Sequence, residues 1–138
     1  MKISEEKNKR ENDLKAIFRS YSDGQIIIDP ATNHIIDANN ILIDMLKIPN
    51  KKILISKKIG HSLPKRQPNG KASHKYIKEN IDKLLSNNIT FFEITLLAFD
   101  RTCINCEVKG RSAMYRNKPA LFGSIRDISD RKRSEDKF

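Results

Sequence analysis

The last third of the chain alternates between apolar and polar residues with a period of two. Successive side chains of a β-strand point to opposite faces, so the alternation predicts two strands that each bury one face. A turn at residues 99–101 joins them into an antiparallel hairpin, and a further strand is predicted at 120–128. The alternating apolar positions are Phe92, Ile94 and Leu96 in the first strand and Ile104, Cys106 and Val108 in the second.

The residues before this hairpin change from a strand pattern to a helical one. Residues 25–29 and 34–37 are apolar and β-branched and flank a turn, which predicts two more strands. Asn39 is predicted to cap a short helix, and Ser73 to cap a longer one that ends near residue 86. The order of strands, helices and strands predicts an α+β domain, an antiparallel sheet with helices on one face. A small ligand would fit between these two layers.

The chain of 138 residues has the length of one domain. Residues 4–21 carry a helical apolar stripe, which predicts an N-terminal flanking helix within residues 1–22. Residues 23–128 then form the domain, and residues 129–138 begin an exit helix or linker. We find no secretion signal and no apolar run that could span a bilayer in this fragment, and we therefore expect a cytoplasmic location.

Positive charge is concentrated in the middle of the chain. Residues 47–78 contain ten basic residues and no Asp or Glu, which equals the formal net charge of +10. Such a stretch can attract a polyanion such as nucleic acid. The stretch has a single aromatic residue, Tyr76, so it lacks stacking platforms for single strands. We therefore favour a solvated loop over a nucleic-acid interface.

Cys103 and Cys106 form a Cys-x-x-Cys motif, which suggests redox or zinc chemistry. On a strand, however, residues three apart point to opposite faces, so these two thiols diverge. No second cysteine pair completes a tetrahedral metal site. The pattern favours Cys106 as a core residue and Cys103 as a surface thiol, with no metal site.

Three segments together resemble the PAS family of sensory domains. Residues 127–132 (Asp-Ile-Ser-Asp-Arg-Lys) resemble the Asp-Ile-Thr-Glu-Arg-Lys signature that closes many PAS domains. Residues 37–39 (Asp-Ala-Asn) resemble the end of the family's second strand, where the asparagine opens a helix. Residues 63–70 resemble a Pro…Gln-Pro-Asp-Gly stretch of microbial sensor kinases. The resemblance extends over residues 14–132.

The resemblance implies a five-stranded antiparallel sheet of order 2-1-5-4-3 with helices on one face and flanking helices at both ends. It also implies a homodimer that forms through the flanking helices, and a fused effector domain, most often a histidine kinase. A small molecule or a partner would be the signal. As cavity-lining residues we predict Ile36, Phe92, Ile94 and Cys106.

Asp127, Ser129 and Arg131 lie where the last strand meets the predicted exit helix. A carboxylate, a hydroxyl and a guanidinium at this junction can set the angle of that helix and so couple the domain to an effector. The same residues would also suit an ordinary helix cap. Both interpretations remain open at this stage.

No catalytic motif and no cofactor motif is present in the sequence. His74 would fall at the first turn of its helix, too early for a haem ligand, and His34 and His61 lie in predicted loops. The Asn-Cys-Arg motif of flavin-binding light sensors is absent. The sequence thus predicts a non-enzymatic sensor with an unassigned ligand. The alternatives are a ligand-free interaction or dimerisation module and, after it, a polyanion binder.

Overall fold

The computed structural model describes residues 23–136, with side chains described as far as Lys132. The predicted N-terminal flanking helix, residues 1–22, lies outside the described residues. The exit helix begins at Ser129, as expected for the segment after residue 128. The strands are β1 (Gly24–Ile28), β2 (Ile35–Ala38), β3 (Ile89–Leu97), β4 (Cys103–Tyr115) and β5 (Lys118–Asp127), and the helices are α1 (Asn40–Met45), α2 (Lys51–Leu54), α3 (Ser73–Asn87) and α4 (Ser129–Asp136).

The five strands form one antiparallel sheet in the order β2-β1-β5-β4-β3. This arrangement confirms the predicted α+β class and the predicted strand order. In the predicted hairpin, Phe92 pairs with Val108 and Ile94 pairs with Cys106. The apolar positions of β3 and β4 therefore share one face, because paired residues of neighbouring strands point to the same side.

The helix-covered face of the sheet carries the main hydrophobic core. Ile94, Cys106 and Ile125 from the strands pack there with Leu42 and Leu54 from the helices. The opposite face carries a smaller cluster of Ile27, Tyr115 and Ala120, with Ile36 and Phe122 packed against it. The sheet therefore buries apolar side chains on both faces, with the larger core beneath the helices.

Two glycines bring the centre of the sheet close to its neighbours. Gly110 of β4 pairs with Gly123 of β5. A Cβ atom on Gly123 would lie 2.9 Å from Ile26 Cγ2, and one on Gly110 would lie 3.1 Å from Leu84 Cδ2. The absence of side chains at this pair leaves space on the helix-covered face.

The basic stretch from residue 47 to residue 78 is part of the folded domain. It contains α2, a 3₁₀ turn at Ile59–Ser62 and the start of α3, residues 73–78. Several of its lysines pair with carboxylates that lie outside the stretch in sequence, as Lys47 does with Asp100 at 2.9 Å and Lys71 with Glu79 at 2.7 Å. Its charge is thus partly neutralised within the domain.

Among the described residues, no helix is both long enough and apolar enough to cross a bilayer.

Candidate sensory site: an apolar cavity and the junction with the exit helix

Asn39 connects the start of α1 to the start of β1. As the N-cap of α1, its Oδ1 accepts a hydrogen bond from Leu42 N at 3.0 Å and a second from Gln25 N at 2.9 Å. Its Nδ2 donates to Asp23 O at 3.0 Å. One buried amide therefore satisfies backbone groups of two elements, and it fixes the first helix against the sheet.

A cavity of about 90 Å³ lies between the sheet and the helices. We call it the apolar cavity, because its surface is almost entirely hydrocarbon. The paired glycines Gly110 and Gly123 form part of its wall. Its apolar lining includes Leu42, Leu54, Ile77, Phe92, Ile94 and Ile125.

The structure brings two of the four predicted lining residues to this cavity. Phe92 and Ile94 line it, whereas Cys106 lies in the core beside Ile94 and lines a separate pocket. Ile36 packs on the opposite face of the sheet, and Ile35 takes the place on the cavity. A shift of one residue exchanges the two faces of a strand, which is why Ile35 replaces Ile36. That these residues contact a ligand stays a prediction.

The separate pocket, with a volume of about 340 Å³, lies beside the root of α4. Cys106 and Ile128 contribute apolar surface, and Asn105 and Lys132 contribute polar groups. We call it the polar pocket. Its mixed polar and apolar surface contrasts with the hydrocarbon lining of the apolar cavity.

The two cysteines lie on opposite faces, as the alternation predicts. Cys106 is fully buried, and Cys103 is exposed. Burial, assisted by the nearby Asp127 carboxylate, raises the pKa of the Cys106 thiol to about 12. Cys106 is therefore an un-ionised core residue at neutral pH. Among the described residues, no cluster of His, Cys, Asp and Glu is arranged to bind a metal ion.

We expect iodoacetamide at pH 8 to add one label to the native chain and two to the urea-unfolded chain, because only a thiolate reacts. Mass spectrometry measures the adducts, and Cys103→Ser should leave the native chain unlabelled. Equally fast labelling of both thiols in the native chain would contradict the assignment.

The raised pKa of Cys106 also makes the stability of the fold depend on pH. The free energy that the buried neutral thiol contributes to folding is complete below the unfolded pKa of about 8.5 and is lost as the pH rises towards 12.

The exit helix α4 is attached to the sheet by ion pairs. Asp127 Oδ1 accepts a hydrogen bond from Ser129 N at 2.9 Å, which forms a turn at the start of the helix. Arg131 then reaches two strands at once: its Nη2 lies 2.7 Å from Glu93 Oε1 of β3, and its Nη1 lies 3.1 Å from Glu107 Oε2 of β4. The three predicted junction residues thus lie together at the root of α4.

The ion pairs continue across the sheet through Arg126. Its Nε lies 3.2 Å from Asp23 Oδ1, and its Nη1 lies 3.9 Å from Glu107 Oε1. Asp23 immediately precedes β1, and its backbone oxygen is the acceptor for Asn39. A chain of charged groups therefore connects the exit helix to β1 and to the cap of α1.

The strands that hold the exit helix also line the apolar cavity. Glu93 lies between Phe92 and Ile94 in β3, and Glu107 precedes Val108 in β4. Phe92, Ile94 and Val108 line the cavity. Because side chains alternate along a strand, the two glutamates point away from the cavity, towards Arg131. A movement of β3 or β4 at the cavity would move the carboxylates that hold α4.

Gln67 was not predicted to make a structural contact; in the sequence it belongs only to the 63–70 stretch that resembles microbial sensor kinases. Gln67 is 5% exposed. Its Oε1 accepts from Thr95 N at 2.8 Å, and its Nε2 donates to Thr95 O at 3.1 Å and to Ser73 Oγ at 2.9 Å. The side chain therefore acts as an added partner for the outer edge of β3. The long spacing between Gln67 and Thr95 left no local signal in the sequence.

This sheet, with its helices over one face, is the PAS fold. No protein-family model matches the chain. Among solved structures, the PAS domain of a two-component sensor histidine kinase superposes with a TM-score of 0.66 at 7% identity, over 88% of this chain and 98% of that one. The PAS domain of a LuxR-family transcriptional regulator from Burkholderia thailandensis, in complex with ethanol, gives a TM-score of 0.63 at 14% identity, over 83% and 96%.

One curated relative is similar in sequence. The methyl sulfide methyltransferase-associated sensor of Methanosarcina acetivorans is 27% identical over 125 residues, which cover 91% of this chain. The chain spans 12% of the length of that sensor. The similarity therefore concerns one segment of a much longer protein.

Proposed function

We propose that this chain is a non-catalytic sensory module that relays a change in its apolar cavity to an effector through α4. The observation that carries the proposal is the double attachment of Arg131 to Glu93 and Glu107. These carboxylates belong to the two strands that present Phe92, Ile94 and Val108 to the cavity. A ligand that repacks the cavity shifts the strands, and the ion pairs transmit that shift to the helix.

The compared proteins support an effector fused to this module. The chain spans only 12% of its curated sensor relative, and one structural neighbour comes from a sensor histidine kinase. Another neighbour was solved with ethanol, which supports a small molecule as the signal. We infer a histidine kinase as the effector, because one structural neighbour is the PAS domain of a two-component sensor histidine kinase. We infer a homodimer formed through the flanking helices from the resemblance to the PAS family.

Loss of Arg131 should loosen the exit helix. In Arg131→Gln, we expect the backbone amides of α4 to exchange about fivefold faster, since exposed ion pairs contribute up to about 1 kcal/mol. Hydrogen exchange monitored by NMR measures this rate residue by residue. Arg111→Gln, which removes an exposed arginine elsewhere on β4, is the matched control and should leave α4 unchanged.

The relay itself is tested by a double-mutant cycle. Val108→Ile adds one methyl group inside the apolar cavity and should change the exchange of the α4 amides when Arg131 is present. In the Arg131→Gln background the same substitution should have little effect, so the two changes should couple by at least about 0.5 kcal/mol. Strictly additive effects would show that the cavity and the exit helix are independent and would overturn the proposed relay.

A further inference from the structure

The side chain of Tyr76 in α3 reaches the backbone of β3. Its hydroxyl donates a hydrogen bond to Glu93 O at 2.5 Å. Its ring packs edge-to-face on the ring of Phe92, with the two centroids 6.1 Å apart. Phe92 lines the apolar cavity. One tyrosine of α3 therefore contacts a cavity-lining side chain and the backbone of the residue that follows it in the strand.

The Tyr76 hydroxyl is available as a donor at neutral pH. The side chain of Asn80, one turn later in α3, hydrogen-bonds the Tyr76 side chain, and Asn80 Nδ2 also donates to Tyr76 O at 2.9 Å. Burial raises the pKa of Tyr76, and the hydrogen bond with Asn80 opposes that rise. Because an unperturbed tyrosine titrates at about pH 10, the phenol keeps its proton at neutral pH. The bond to Glu93 O is therefore present under ordinary conditions.

Glu93 is the residue at which this contact meets the exit helix. Its backbone oxygen is bonded to α3, and its carboxylate is bonded to α4. Glu93 Oε1 lies 2.7 Å from Arg131 Nη2, and Glu93 Oε2 lies 3.0 Å from Lys132 Nζ. Only the covalent bonds of one residue separate the atom held by Tyr76 from the atoms that hold α4. A displacement of Tyr76 would therefore move the carboxylate that attaches two cations of the exit helix.

The second carboxylate that holds the exit helix lacks a contact of this kind. Glu107 accepts from Arg131 Nη1 at 3.1 Å, as described above. It belongs to β4, which has a strand on each side, whereas β3 is at the edge of the sheet. An edge strand leaves outward-facing backbone groups available to side chains. Among residues 23–136, no side chain of α3 bonds to Glu107, so α3 reaches one of the two carboxylates and not the other.

Helix α3 is also a wall of the apolar cavity. Ile77, Ile81 and Leu84 line the cavity from this helix, and Ile77 directly follows Tyr76. A change in cavity packing that displaces α3 would therefore displace the Tyr76 hydroxyl as well. This path leads from the helical wall of the cavity to Glu93 without any movement of β4.

We propose that Tyr76 is a positioning residue whose hydroxyl ties α3 to Glu93, so that the position of α3 sets how α4 is attached at Glu93. This inference rests on the proposed relay and adds a second route to it. The strand route acts through Glu93 and Glu107 alike, whereas the helix route acts through Glu93 alone.

Tyr76→Phe tests the hydroxyl, because it keeps the ring on Phe92 and removes the bond to Glu93 O. In the full chain we expect the backbone amides of α4 to exchange about threefold to fivefold faster, as for the loss of one neutral hydrogen bond. Hydrogen exchange monitored by NMR measures this rate. Tyr115→Phe is the matched control and should leave α4 unchanged. The Tyr115 ring also packs edge-to-face, on Phe122 at 6.0 Å, but within the described part of the chain its hydroxyl makes no hydrogen bond.

Two glutamate backgrounds separate positioning from general stabilisation. In Glu93→Ala the exit helix is held through Glu107, so the addition of Tyr76→Phe should leave the exchange of α4 almost unchanged. In Glu107→Ala the exit helix depends on Glu93, so Tyr76→Phe should keep its full effect. A tyrosine with a merely structural role would act equally in both backgrounds. If Tyr76→Phe does not give a native-like NMR spectrum, Tyr76→Met, which also lacks the hydroxyl, is compared in the same two backgrounds.

Three results would overturn the role of Tyr76. The first is an equal effect of its substitution in Glu93→Ala and in Glu107→Ala. The second is an increase in exchange at the β1 amides that matches the increase at α4, because that pattern reports a general loss of stability. The third is a Tyr115→Phe variant that loosens α4 as much as Tyr76→Phe does.

These outcomes are separate from a failure of the proposed function. The relay is tested by the cycle between Val108 and Arg131, which does not involve Tyr76. If that cycle shows coupling but Tyr76→Phe acts equally in both glutamate backgrounds, the strands carry the relay and the role of Tyr76 is wrong. If Tyr76 acts only through Glu93 but the Val108 cycle is additive, Tyr76 positions α4 and the strand route of the relay is wrong.

Discussion

Asn39→Ala should lower the free energy of unfolding by about 2–4 kcal/mol. Of the substitutions considered, only Gln67→Ala is expected to have an effect of similar size. The substitution removes the cap of α1 and leaves Gln25 N and Asp23 O without their side-chain partner. A helix cap contributes about 0.5–2 kcal/mol, and each buried backbone group left unpaired costs about 1–3 kcal/mol. Urea unfolding followed by circular dichroism measures the change.

Two further variants separate the parts of this effect. Asn39→Asp retains an oxygen acceptor for Leu42 N and Gln25 N but cannot donate to Asp23 O, so it should be intermediate in stability. Asn40→Ala, at the neighbouring exposed position, should change stability by less than about 0.5 kcal/mol. If Asn39→Ala behaved like Asn40→Ala, the amide would not link α1 to the sheet.

Gln67→Ala should lower the free energy of unfolding by about 2–3 kcal/mol, because it leaves both outward-facing backbone groups of Thr95 unpaired at a buried edge. The loss should also appear as faster hydrogen exchange at Thr95 than at the rest of β3. Chemical denaturation measures the first effect, and NMR exchange measures the second.

Two further variants serve as comparisons for Gln67→Ala: one keeps the length of the Gln67 side chain, and the other changes a different residue of the same turn. Gln67→Glu can still accept from Thr95 N but cannot donate to Thr95 O or Ser73 Oγ, and it buries a charge, so it should destabilise at least as much as alanine. Asn69→Ala alters the same turn at an exposed position and should cost less than about 1 kcal/mol. An equal loss in Asn69→Ala and Gln67→Ala would assign the effect to the turn.

The sheet was the most predictable part of this protein. The alternation in β3 and β4 predicts that Phe92, Ile94, Cys106 and Val108 share one face, and the observed register pairs Phe92 with Val108 and Ile94 with Cys106. In β2 the strand has four residues, and its pairing with β1 shifts between Ile27 and Ile28. So short a pattern does not define its face, which explains why Ile35 rather than Ile36 lines the cavity.

The polar contacts of the site were harder to predict, because their partners are distant in sequence. Asn39 was predicted as a cap from its position before a helical pattern, but its bond to Gln25 depends on the fold. The cap predicted at Ser73 was wrong: α3 has Ala72 as its N-cap, and the Ser73 hydroxyl accepts from Gln67 instead. The family signature indicated Arg131, whereas its partners emerged only when β3 and β4 were placed side by side.

The glycine pair in the wall of the cavity has a consequence for how domains with this fold can diverge. Gly110 and Gly123 face the interior, whereas the residues beside them in β4 and β5 face the opposite side of the sheet. A single methyl group added at Gly110 would reshape the cavity, and the outer surface of the sheet would keep its chemistry. The shape of the cavity and the surface that the sheet presents to its neighbours can therefore change separately, one carbon atom at a time.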